Sequence, residues 1–327
     1  MISRRRALGL VAAPFLLRAG GTARADDGNT ITIATSPYGG IYYPLGNSIC
    51  RLFNLAATES GPVCVASDSK GSVENIRALR AGTVQFALAQ SDIVTHALTG
   101  KGDFAGDAPA DDLRALLLGH AETFTLLTRP GSAIDDVTDL PGHRLATGPM
   151  GSGQKVTAAI MLNAFGWQDA DFGGLPAMTR DEEVAALCDG KADAVTLYFG
   201  HPNGDVQEAI ERCNAHIVPV TGRQIDEIVA AHAEYFSTTI PGGIYENHPD
   251  PIPTFGSQSV LVTSISADDE MVNALLAAVF DNVDILKRLH PAFAGFTPET
   301  MVPRESWARL HPAAQAFFTK RKLLIGP

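Results

Sequence analysis

Along most of the chain a short β-prone run gives way to a Gly- or Ser-rich turn and then to an amphipathic helix, an alternation that few folds accommodate. Thr30–Ser36 is β-rich, Gly39-Gly40 turns the chain, and Leu45, Ile49, Leu52 and Phe53 follow at i, i+4, i+7 and i+8. Val63–Ser67 is a second strand. Ser72 is placed to cap the next helix, which buries Val73, Ile76 and Leu79 and ends at Gly82. Val84–Gln90 reads as a third strand, followed by a helix from about Ser91 to Leu98. The second half repeats the scheme with strands at Phe124–Thr128, Arg144–Thr147, Ala192–Tyr198 and His216–Val220. One helix runs from Gly151-Ser152-Gly153 to Gly166; another opens with the capping box Thr179-Arg-Asp-Glu182 and stops at Gly190. This spacing predicts an α/β fold with mostly parallel sheets.

The segment Ala78–Leu88 is echoed by Ala186–Thr196, each a helix end, a glycine and a buried strand. With a length of 327 residues, the echo favours two similar lobes. Crossings between lobes are expected near Gly119–Thr123 and Pro253–Gln258. That gives lobe 1 over 26–119, lobe 2 over 120–256, and a return to lobe 1 over 257–327. Residues 1–25 read as a secretory leader: Arg4-Arg5-Arg6, an apolar run from Ala7 to Leu17, and Ala23-Arg24-Ala25 before Asp26. The run is too short to span a bilayer, and Ser3-Arg4-Arg5 with Leu8 also fits a twin-arginine signal. A soluble periplasmic protein is expected.

Without the leader's five arginines, 20 basic residues face 36 acidic ones, a net charge near −16. Such a chain repels nucleic acid and anionic lipid, and no long apolar or heptad surface argues against a monomer. Four cysteines, Cys50, Cys64, Cys188 and Cys213, allow three connectivities. In an oxidising compartment the local pairs Cys50–Cys64 and Cys188–Cys213 would close short loops, each contributing about 2–4 kcal/mol. Without C-x-x-C or a Cys/His cluster at ligand spacing, no metal site is expected.

Three glycine-bearing turns hand a strand over to a helix: Gly39–Pro44, Lys70–Asn75 and Gly148–Gln154. In open α/β sheets ligands bind beyond the carboxyl ends of the strands, where helix N-termini offer free N–H groups to a carboxylate or phosphate. Catalytic patterns are absent. Met150 and Gln154 flank Gly151-Ser152-Gly153 where G-x-S-x-G needs glycines, Val156 replaces the third glycine of G-x-G-x-x-G, and H-E-x-x-H does not occur. Carboxylates such as Asp111-Asp112, Asp135-Asp136 and Asp181-Glu182-Glu183 are expected at helix starts on the surface. The chain reads as a binding protein without enzyme activity or cofactor.

The runs GGIYYPLG (39–46), GSVENIRALRAG (71–82), LAQSD (88–92), LRALL (113–117), GPMGSGQ (148–154), GHPNG (200–204), TIPGGIY (239–245) and LHPAAQAFF (310–318) resemble, in order, the TAXI family. These are the solute receptors of one branch of TRAP (tripartite ATP-independent periplasmic) transporters. The resemblance implies a two-lobed type II periplasmic-binding-protein fold with the ligand cleft between the lobes. It also implies a small carboxylate solute (glutamate, 2-oxoglutarate or a similar dicarboxylate) and docking on a sodium-driven TRAP permease. A membrane sensor kinase is the alternative partner. The segments around the four cysteines resemble a cysteine-bearing subgroup, in keeping with the two local disulfides. Carried over by position, lobe 1 contacts are Tyr42, Tyr43, Ser72, Gln90 and Ser91. Lobe 2 contacts are Gly151, Ser152, Gly153 and Gln154, with Phe199, Gly200 and His201 on the facing loop. Ser72, Ser152 and the amides at 151–154 would hold carboxylate oxygens. Lys70 stands where many relatives carry glycine, either a surface change or a specificity change in which the lysine pairs a second carboxylate.

Overall fold

The computed structural model describes residues 30–57, 61–303 and 307–324; the leader reading lies outside them. Strand β1 (Thr30–Ala34) turns through Gly39-Gly40 into α1 (Tyr42–Ala56). Leu45, Ile49, Leu52 and Phe53 are all buried on its inner face, each contributing about 1.5–3 kcal/mol of burial. β2 (Val63–Ser67) pairs parallel with β1 from Thr30↔Val63 to Ala34↔Ser67. Next come α2 (Ser72–Arg80), β3 (Phe86–Gln90) and α3 (Ser91–Thr99). The 16-residue strand β4 (Leu113–Thr128) leads to β5 (Leu145–Ala146), α4 (Gly153–Ala164), α5 (Arg180–Cys188) and β6 (Ala194–Phe199). After α6 (Gly204–Cys213), β7 (His216–Val218), α7 (Arg223–Ala231) and β8 (Tyr235–Ile240), the long strand β9 (Ile252–Ser264) returns beside β4. Helices α8 (Asp269–Phe280), α9 (Val283–Leu286) and α10 (Pro312–Lys320) follow it.

The strands lie in the order β2-β1-β3-β9-β4-β6-β5, with β7 on β4 and β8 on β9. This corrects the expectation of mostly parallel sheets. β1 with β2, β1 with β3 and β5 with β6 are parallel, but β4 pairs antiparallel with β9, β6 and β7, and β9 pairs antiparallel with β3 and β8. A chain that runs out along one long strand and back along another needs no crossover helix, and its strands pair antiparallel. The β4–β9 ladder shifts register between Leu118 and Ala121. Gly119 sits in that bulge because a Cβ there would lie 2.4 Å from the Ser259 hydroxyl.

The core divides accordingly. Two clusters, one around Ile33, Leu45 and Phe318 and one around Ile76, Ile93 and Val262, take their buried residues from positions up to 118 and from 260 onward, with Val156 of α4 packed against the second. Two others, around Phe124 and Met161 and around Leu187 and Ile210, draw only on residues 124–255. These are the two lobes of an α/β type II binding-protein fold, with β4 and β9 passing between them. The sequence echo has a structural counterpart: α2 and α5 both end at a left-handed glycine, Gly82 at φ 70° and Gly190 at φ 69°. The amides of Thr83 and Lys191 bond back to Ala78 and Ala186.

Both local disulfides are present. Cys50–Cys64 fastens α1 to β2 and Cys188–Cys213 fastens α5 to α6. The Thr179–Glu182 capping box opens α5 as expected. Two local readings are corrected. Gly71, at φ 118°, is the N-cap of α2, and Ser72 is the first helical residue with its hydroxyl turned to Gln90. Glu183 is 1% exposed, so it is no surface residue. Among the described residues no helix is long and apolar enough to cross a membrane.

Candidate functional site

The N-termini of α1, α2, α4 and α5, the ends of β3 and β6 and the middle of β4 converge on one small cavity between the lobes, with about 30 Å³ of free space. From lobe 1, Tyr42, Lys70, Ser72 and Gln90 reach the wall; from lobe 2, Ser152, Gly153, Gln154 and Phe199 do. Ser72 and Gln90 are buried, and the Ser72 hydroxyl accepts from the Gln90 amide at 3.1 Å. Lys70 is exposed at the mouth.

The lobes come together at Gly153. A Cβ there would lie 1.5 Å from Gln90 Oε1 and 3.1 Å from Ser72 Oγ. The residue is glycine because lobe 1 occupies the space of a side chain. Beside it, Gln90 Nε2 donates to Thr157 Oγ1 at 3.1 Å, and Thr157 donates to Asp92 Oδ2 at 3.0 Å. Asp92 also accepts from the Tyr235 hydroxyl at 2.6 Å. Burial holds the Asp92 carboxyl above its ordinary range, with the Tyr235 and Thr157 hydrogen bonds pulling the other way. This buried network joins the start of α3 to α4 and β8 across the lobe boundary.

Several expected contacts are engaged otherwise. Ser152 caps α4, accepting from the Lys155 amide at 3.2 Å and donating to Pro149 at 2.7 Å. Gln154 Nε2 donates to Glu183 at 2.9 Å and to the Thr196 carbonyl at 2.6 Å, while its Oε1 has no partner among the described residues. Burial pushes the Glu183 carboxyl up to about 7, against the pull of Gln154 and the Gly148 amide.

Five expected residues do not line the cavity. The Tyr43 ring packs edge-on against Tyr38 at 4.6 Å, its amide donating to Ser36. Ser91 bridges lobe 1 to the Glu234 carbonyl at 3.1 Å and the Gln258 amide at 3.2 Å. Gly151 lies on a separate groove between α3 and α4. A side chain at Gly200 would meet His120 at 2.6 Å. His201 is held by Thr125 at 2.9 Å and Tyr245 at 2.7 Å, and burial pushes it down to about 3.

Two ionisable residues of the wall, Arg180 and Glu122, stand outside the sequence-based set. Arg180, the first residue of α5, projects between the Gly40 turn and the Phe199 ring, its guanidinium carbon 5.2 Å from the ring centroid. Its Nε lies 3.7 Å from Asp205 Oδ2, and neither Nε nor Nη1 has a hydrogen-bond partner among the described residues. Glu122, on β4 at the crossing, is 4% exposed and accepts from the Tyr42 hydroxyl. Burial pushes its carboxyl up to about 8; Tyr42 pulls it down, Asp92 raises it further, and Arg180 pulls it down. Both had a signal in the sequence: a cation in the first turn of a helix, where the dipole favours anions, and a carboxylate inside an apolar strand.

A family model described as the NMT1-like family matches residues 33–320. Among solved structures, MatC from Rhodopseudomonas palustris with bound malate is similar at TM-score 0.55 and 14% identity, covering 90% of this chain and 96% of that one. A protein from Bordetella bronchiseptica RB50 gives 0.54 and 16%, over 90% and 98%. PhnD1 from Prochlorococcus marinus (MIT 9301) in complex with methylphosphonate gives 0.54 and 10%, over 90% and 99%. At such identities these likenesses establish the fold alone. The family match corrects the resemblance drawn from short motifs: the TAXI assignment does not stand, and the TRAP permease as partner goes with it. Those motifs are turns, helix starts and glycine stops around a cleft, features that two-lobed binding proteins share because the fold needs them there. The chain belongs to the NMT1-like family.

Proposed function

We propose that the protein is an exported, periplasmic receptor that closes its two lobes on a small carboxylate solute and presents it to a membrane transporter, without catalysis. The lobes divide near 119–120 and 256–257, so that residues 26–119 and 257–327 form one and 120–256 the other. The observation that carries this reading is the Arg180 guanidinium on the wall of an interlobe cavity, with Asp205 at 3.7 Å as its ion-pair partner and no hydrogen bond to Nε or Nη1 among the described residues. A buried charge whose ion-pair partner stands beyond hydrogen-bond distance is incompletely compensated, and a planar guanidinium matches a carboxylate with two parallel, charge-assisted hydrogen bonds. Ser72, Gln90 and the N-terminus of α4 supply further donors, and Lys70 at the mouth reaches a second carboxylate. The ligands named with the two neighbours, malate and methylphosphonate, are both small oxyanions. Seating such a solute takes more room than this cavity's volume of about 30 Å³, so binding goes with a change in the separation of the lobes.

A thermal-shift screen of the mature protein against dicarboxylates, oxo acids, amino acids, alkanesulfonates and methylphosphonate tests this. A carboxylate is expected to raise the melting temperature selectively, with about 2.7 kcal/mol of stabilisation at a hundredfold excess over Kd. A shift with a sulfonate or phosphonate alone would refute the carboxylate assignment; no shift with any compound would refute the receptor.

A further inference from the structure

Glu122 faces the same cavity as Arg180, and a carboxylate there is an odd neighbour for an anionic solute. The groups around it settle its state. From α1 the Tyr42 hydroxyl donates to one of its oxygens. From the start of α3 the buried Asp92 raises its pKa, and from α5 the Arg180 charge lowers it. Tyr198 of β6 faces it as a neutral phenol, held above its ordinary range mainly by burial. His120, two residues earlier on β4, is pushed down to about 3 by burial and is neutral. With burial as the largest effect, the Glu122 carboxyl is pushed up to about 8, which favours its protonated form at neutral pH.

A neutral carboxyl has an O–H to give, whereas an ionised one only accepts. Resting on the carboxylate-receptor reading, we propose that Glu122 acts as a protonated hydrogen-bond donor to an oxygen of the solute, so that the cleft selects acids lacking an ammonium group and binds them together with a proton. Arg180 supplies the positive charge and Glu122 the neutral donor. A solute anion beside Glu122 disfavours its ionisation further, so above its own pKa the site takes one proton from the medium with each solute. An α-amino acid would reverse the sign. Its ammonium needs an ionised Glu122, so binding would release the proton and strengthen as pH rises.

Calorimetric titration of the wild type with 2-oxoglutarate, L-malate and L-glutamate at pH 7 and pH 9 separates these cases. With the group at about 8, affinity for 2-oxoglutarate or malate is expected to fall about tenfold between the two pH values. In Glu122→Gln, where the amide keeps a donor and cannot ionise, the ratio between the two pH values is expected to be one. Carbon-13 NMR of glutamate-labelled wild-type protein follows the Glu122 carboxyl without any solute and depends on no variant. A titration near 8 supports the proposal, and one in the ordinary carboxylate range overturns it. Binding of equal strength at both pH values, or tighter glutamate binding at pH 9, overturns it while leaving the receptor reading intact. Failure of all three acids at both pH values overturns the carboxylate reading, and the proposal with it.

Discussion

The buried titratable residues pull the stability of this protein in opposite directions with pH. Glu122 and Glu183 are raised to about 8 and about 7. Between the ordinary glutamate range and those values the folded state binds more protons than the unfolded one, and stability falls as pH rises. His120 and His201 are lowered to about 3. Between there and the ordinary histidine range the unfolded state binds more protons, so stability rises with pH. The expected profile peaks at about pH 5–6 and declines from about 6.5 to 8. Urea midpoints across this range check it; a midpoint still climbing from pH 6.5 to 8 would contradict the assignment of these carboxyls. Half of the site was legible at this scale. Ser72, Gln90 and Gly153 stand where a strand or turn hands over to a helix, a signal that is local. Arg180 and Glu122 meet at a cleft assembled from segments far apart in the chain, and neither local pattern says what lies opposite.

Among the elements, α4 has the most exacting position, because its first residue fills its place only without a side chain. In Gly153→Ala the added methyl falls on the Gln90 amide, which is buried and bonded to Thr157. Alanine favours the helix itself by roughly 1 kcal/mol over glycine, so the unliganded protein should remain folded while closure is obstructed. Solute affinity is expected to fall by about tenfold or more, a cost of about 1.4 kcal/mol, with part of it restored in Gly153→Ala/Gln90→Ala. Failure of the second substitution to restore any affinity would show that the contact does not govern closure. The helices and short parallel strands follow from apolar periodicity and glycine stops, which act within ten or so residues. The long antiparallel strands did not. Gly119 and the bulge beside it interrupt the pattern of β4, and nothing local reports that β9 lies alongside.

At the scale of the molecule, two lobes joined by two strands can close on a solute only if contacts from both sides are better in the closed form. The division into lobes was legible from length and the internal echo; the family and the transporter were not, because cleft-lining turns are common property of the fold. The direct test is titration of the wild type, Ser72→Ala in lobe 1 and Arg180→Gln in lobe 2 with the acid giving the largest thermal shift. Loss of a hydrogen bond to a charged group costs about 1.5–3 kcal/mol. Arg180→Gln is therefore expected to weaken binding roughly 10- to 150-fold and Ser72→Ala by less, but measurably. Loss of affinity confined to one lobe, or an unchanged affinity in Arg180→Gln, would contradict the account.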